Sequence, residues 1–98
     1  MTTSGNTIRT CKVIVHGMVT GVGFRYSAMR EARRIGGLYG YVRNRDSQTV
    51  ECVVQGPESR VEEFIDWLRR GPVMARIDSC HVSEITEPGA LSEFTIAF

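Results

Sequence analysis

The chain has 98 residues, of which 42% are hydrophobic and 23% charged, and its formal net charge is +1. That length suits one domain with a single two-layer core, and so small a charge supplies no global field to recruit nucleic acid or an anionic membrane. With so small a charge any anion site must be built locally, and no apolar run approaches the ~20 residues needed to span a bilayer.

Residues 1–10 are polar and lack the apolar core of a signal peptide. They are expected to form a flexible tail ahead of a domain over 11–98, with the cytoplasm as the compartment. The three cysteines, Cys11, Cys52 and Cys80, show no C-x-x-C spacing, and an odd count argues against a disulfide framework. Cys11 alternates in phase with Val13 and Val15, and Cys52 with Val50 and Val54, so both read as small buried hydrophobes on strands.

Cys11 to His16 is short and β-branched, the mark of a strand. A loop punctuated by Gly17, Gly21 and Gly23 follows. From Phe24 the period changes: Phe24, Ala28, Ala32 and Ile35 recur at helical spacing, and Gly36-Gly37 ends the helix. Leu38 to Arg45 and Thr49 to Gln55 read as strands, with Asp46, Ser47 and Gln48 as the hairpin loop between them. Gly56-Pro57 opens a second helix whose inward stripe is Val61, Phe64, Ile65 and Leu68, and Gly71-Pro72 stops it. Ile77 to Glu84 and Glu93 to Phe98 are the last strands. The order β-α-β-β-α-β plus one short strand predicts an α+β, ferredoxin-like sandwich, a mostly antiparallel five-stranded sheet with two helices on one face.

A strand, a glycine-rich loop and a helix N-terminus together suit an anion. Glycines let successive N–H groups curl inward, and the first helical turn adds unpaired donors and a partial positive charge. The loop lacks G-K-[ST], so it is not a Walker A loop, and its glycine spacing is not that of a dinucleotide fold. Arg25 falls in the first turn, where the helix dipole disfavours a cation. An anion held between that arginine and the amides would explain it, since the guanidinium fork matches phosphate. The residues equally allow an arginine that reaches into solvent or pairs with an acid. Asn44, near the end of the next strand, has an amide able to accept from a water while donating to a phosphate oxygen. It also suits a hairpin-flanking residue that caps its own turn.

Gly17-Met18-Val19-Thr20-Gly21-Val22-Gly23-Phe24-Arg25, the block Gly37 to Asn44 and the later Arg70 to Ile77 together resemble acylphosphatases, in order and over about residues 11–98. Val50-Glu51 and Gly56-Pro57 also fit that pattern. The resemblance implies that Arg25 and the loop, Gly17, Val19, Thr20, Gly21, Val22, Gly23 and Phe24, bind the phosphate of a small acyl phosphate. It implies that Asn44 positions the attacking water, and that the enzyme works as a monomer with no metal or other cofactor. Thr20 stands where the family usually has Gln, and Gln48 where it usually has the Gly of a tight hairpin. Loop support and turn geometry are therefore expected to differ here.

So few groups are enough because an acyl phosphate is already activated. Its leaving group is a carboxylate whose acid has a pKa of ~4, so departure at neutral pH needs little help. The remaining work is to neutralise the phosphoryl oxygens and place a water in line. His16, beside the loop, is a rival base or a structural histidine, and His81 has no partner in view. Two isolated histidines and scattered cysteines offer no metal-ligand spacing. The competing class is a non-catalytic ferredoxin-like module that binds phosphate or regulates. An RNA-binding sheet would need aromatics in its central strands, and Thr49 to Gln55 has none. A related phosphate site in a larger maturation enzyme using carbamoyl phosphate is the other alternative.

Overall fold

The computed structural model describes residues 7–21 and 23–98. Its elements are β1 (Ile8–Met18), α1 (Phe24–Ile35), β2 (Tyr39–Asp46), β3 (Thr49–Pro57), α2 (Glu58–Arg70), β4 (Arg76–Glu84) and β5 (Thr95–Ile96). One five-stranded sheet runs in the order β4-β1-β3-β2-β5. β1 is antiparallel to β3 and β4, and β2 to β3, while β5 lies parallel to β2 through Tyr41 opposite Thr95 and Val42 opposite Ile96. The ferredoxin-like order expected from the periodicities is present, with one parallel edge.

The alternation that marks β1 as a strand also sorts its side chains. Cys11, Val13 and Val15 are fully buried beneath the helices, and Lys12, Ile14 and His16 fall on the other side of the sheet. α1 contributes Phe24, Ala28 and Ala32 to the same core, and α2 contributes Val61, Phe64, Ile65 and Leu68. The small alanines let α1 sit close to the sheet, while aromatic rings fill the seam. Phe64 meets Phe94 edge-on at 5.1 Å between centroids, and Phe24 packs on Trp67 at 5.7 Å. All three cysteines are free, with Cys11 and Cys52 buried as their phase predicts.

Several boundaries differ from the periodicity reading: Gly17 and Met18, expected in the loop, close β1, Gly56-Pro57, expected to open the second helix, closes β3, and β5 covers Thr95–Ile96 in place of Glu93 to Phe98. Ile8, Arg9 and Thr10, expected in the tail, belong to β1 and pair with Pro57, Gly56 and Gln55. The cause is nonlocal: β3 runs on to Pro57 and offers partners that a polar sequence does not advertise, and Arg9 gains the Glu84 carboxylate at 2.6 Å. The rest of the expected tail, residues 1–6, lies outside the described residues. Asp46, expected in the hairpin loop, is the last residue of β2 and pairs with Thr49, which leaves Ser47-Gln48 as the connection. No described non-glycine residue has positive φ, so Gln48 is not forced into the conformation a glycine would take. The register instead shifts between Asn44 and Asp46, and the Asp46 carboxylate accepts a hydrogen bond from the Gln48 N–H at 2.8 Å.

Candidate active site

β1 delivers the chain to the loop, and two buried side chains fix the loop's ends. Val19 is fully buried just after β1, and Phe24 is 1% exposed at the first position of α1. Between them Gly21 and Gly23 adopt left-handed φ of 76° and 74°, with open space around each. Gly23 is the N-cap of α1, no side chain caps the opening amides, and no acidic residue lies in the first turn. Among the described residues no side chain therefore satisfies these donors, which lie at the positive end of the helix dipole and suit an anion. Val22 lies outside the described residues.

Arg25 and Asn44 line one cleft of about 180 Å³ together with Val19, Thr20, Gly21, Gly23 and Phe24. Two groups from different elements, read separately in the sequence, thus face the same space. The alternative in which Arg25 pairs with an acid does not hold among the described residues. Seven ion pairs occur there and none involves Arg25. Its guanidinium instead lies over the Phe98 ring, 5.0 Å from the centroid.

The hairpin turn is capped by Asp46 and not by Asn44. The Asn44 Oδ1 is buried with no hydrogen-bond partner among the described residues. A buried acceptor left unmade costs about 1–3 kcal/mol. Asn44 lines the cleft, where a bound group or a water can supply the missing donor.

Gly17, expected among the phosphate-holding residues, does not reach this cleft. Its N–H donates to the Gln48 carbonyl at 2.9 Å, and it lines a separate recess with His16, Met18, Arg76 and Asp78. The reason is a register shift between His16 and Gly17 in the pairing with β4, which turns the backbone away. Its φ of 147° and the proximity of β4 explain why glycine is needed there: a Cβ would overlap the Arg76 carbonyl oxygen.

His16 does not line this cleft either. It points to the open side of the sheet, its Nδ1 2.9 Å from the Thr49 hydroxyl oxygen. His81 is exposed on β4 opposite Ile14. Among the described residues no group of three or more His, Cys, Asp or Glu is placed to hold a metal ion, and no helix is long and apolar enough to cross a membrane.

Three cleft residues carry no sequence signal: Tyr26, Ile96 and Phe98. The last two arrive because β5 pairs with β2, the strand of Asn44, and the Ala97 N–H continues that pairing to the Val42 carbonyl at 2.9 Å.

The family model described as acylphosphatase matches residues 11–96. The chain is 44% identical over 82 residues to an acylphosphatase of Thermococcus kodakarensis, covering 84% of this chain and 88% of that one. It is 53% identical over 72 residues to an acylphosphatase of Caldivirga maquilingensis, covering 72% and 75%. The crystal structure of acylphosphatase from Bacillus subtilis superposes with a TM-score of 0.85 at 32% identity, covering 94% of this chain and all of that one.

Proposed function

Since the chain belongs to the acylphosphatase family and is an enzyme that hydrolyses acyl phosphates, we propose that its chemistry is carried by Arg25, Asn44 and the loop amides without a metal. The phosphoryl group sits between the opening amides of α1, the loop from Val19 to Gly23 and the Arg25 guanidinium, which together spread its negative charge. Asn44 accepts a hydrogen bond from a water through Oδ1 and holds it in line with the acyl–phosphate bond. The water oxygen bonds to phosphorus as the bond from phosphorus to the acyl oxygen breaks. The carboxylate leaves with the electron pair, and the water's proton passes to a non-bridging phosphoryl oxygen. An amide is too weak a base to take it, and the leaving carboxylate, with an acid pKa of ~4, does not need it.

The observation that carries this reading is the buried, unpartnered Asn44 Oδ1 in the cleft that Arg25 lines. We read the chain as a monomer acting on small acyl phosphates such as acetyl phosphate; a formal net charge of +1 offers no broad field for nucleic acid or an anionic membrane. Three free cysteines suit the reducing cytoplasm. We assign the catalytic unit to the chain from Ile8, where β1 begins, to Phe98.

Benzoyl phosphate hydrolysis with EDTA present tests the mechanism. Arg25→Ala and Asn44→Ala should each lose about 100-fold or more in kcat/KM. Retained activity in Asn44→Ala would remove the water-positioning role, and loss of wild-type activity in EDTA would remove the metal-free one.

A further inference from the structure

Thr20 sits in the loop beside the cleft, yet its hydroxyl is committed elsewhere. It donates to the Ser47 carbonyl at 2.6 Å, bridging from the loop to the tip of the β2–β3 hairpin. Among the described residues this is the only hydrogen bond that Val19, Thr20 or Gly21 makes. Beyond it, Gly21 and Gly23 are exposed and a Cβ at either would meet nothing within 4 Å; the next hydrogen bond is the one the Gly23 carbonyl accepts from the Ser27 N–H at 2.9 Å, inside the first turn of α1. Among the described residues the Thr20 bond is therefore the last hydrogen bond on the loop before the first turn of α1.

Its other end is a fixed point. Ser47 follows β2 directly, and the Asp46 carboxylate locks the tip through the Gln48 N–H. The Gly17 N–H ties the base of the loop to the same tip through the Gln48 carbonyl. The Thr20 bond thus references the phosphate-holding loop to the strand that carries Asn44.

Resting on the mechanism above, we propose that Thr20 is a positioning residue: its hydroxyl, through Ser47, sets the distance between the bound phosphoryl group and the water held by Asn44. In-line attack needs the reacting atoms about 3–3.5 Å apart, and a misplacement of about 1 Å can cost 100-fold. A loop amide moving with its ligand still binds phosphate. What it loses is its register with a water anchored on another strand.

The consequence is a split between turnover and binding. Thr20→Val keeps the shape and removes the hydroxyl, and Thr20→Ala removes it without the second methyl. Both should lower kcat for benzoyl phosphate about tenfold, while KM and the inhibition constant of inorganic phosphate change less than about threefold. Thr20→Ser should restore kcat to within about twofold of wild type, because it restores the donor. Thermal midpoints for all variants establish that they are folded at the assay temperature. The proposal is overturned if both hydroxyl-free variants keep wild-type kcat, if serine fails to restore it, or if only KM and phosphate inhibition change. An inactive wild type, or a fully active Asn44→Ala, would instead overturn the mechanism on which it rests.

Discussion

Replacing Gly17 with alanine separates a structural from a ligand-binding use of this residue near the end of β1. A Cβ at Gly17 would overlap the Arg76 carbonyl oxygen and stand 2.9 Å from the Asp78 nitrogen. Both are backbone atoms of β4 and have no rotamer to escape into, so the strand itself must move. Holding a side chain at φ 147° adds about 1–3 kcal/mol of strain. Displacing β4 adds about 1–3 kcal/mol, by analogy with overpacking. Breaking the Gly17 bond to the Gln48 carbonyl costs about 1 kcal/mol more. The sum is at least about 3 kcal/mol, a large share of the roughly 5–15 kcal/mol that holds a domain folded. For a domain of this size it corresponds to a fall in Tm of at least about 12 °C. Gly21→Ala is the control: its φ of 76° is also left-handed, but a Cβ there meets nothing within 4 Å, so about 1–3 kcal/mol of strain is all it should show. Thermal and urea melts of the two variants beside wild type measure the difference. A Gly17→Ala Tm within about 4 °C of wild type, or no lower than that of Gly21→Ala, would refute the assignment of Gly17 to strand contact.

The ring of Phe98 restrains the Arg25 guanidinium by a contact worth about 0.5–1 kcal/mol at an exposed position. Phe98→Ala should therefore change the phosphate inhibition constant by about two- to fivefold, and Phe98→Tyr should not. On the open side of the sheet, burial alone would raise the Glu51 carboxyl, but the Tyr41 hydroxyl and the Arg43 guanidinium outweigh it and hold it below the ordinary glutamate range. A depressed folded pKa gives stability that is present above the unfolded value and is lost as pH falls through the folded one. Melts between about pH 5 and pH 3 should accordingly show a shallower loss of Tm in Glu51→Gln than in wild type. Burial pushes the Cys11 thiol up to about 11 and Cys52 well above its usual value. With a thiolate-selective disulfide reagent at pH 8, the half-buried Cys80 should react first in the native protein, and all three cysteines together in guanidinium.

Much of the fold was legible because burial leaves a period in the chain. Phe24, Ala28 and Ala32 in α1, and Cys11, Val13 and Val15 in β1, are spaced by the geometry of their own element, so one stretch suffices to read each. Boundaries were harder where the partner strand decides them. Ile8 to Thr10 join the sheet because β3 extends to meet them, and Asp46 does so because the hairpin takes a register shift in place of a positive φ.

The candidate site divides the same way. A glycine loop running into a helix, the misplaced cation Arg25, Asn44 on the next strand and the acylphosphatase resemblance that joins them are all readable along the chain. Tertiary structure decided which of these atoms are free to act. Asn44 Oδ1 is unpaired because Asp46 caps the turn, and the Gly17 amide is spent because the Gln48 carbonyl lies opposite. His16 faces away from the cleft because it falls on the outer phase of β1, and Phe98 meets Arg25 because β5 closes beside β2. Hydrophobic periodicity records which face of an element is buried. A hydrogen bond between segments far apart in the chain leaves no such period, since either partner could have satisfied another group until the strands were paired.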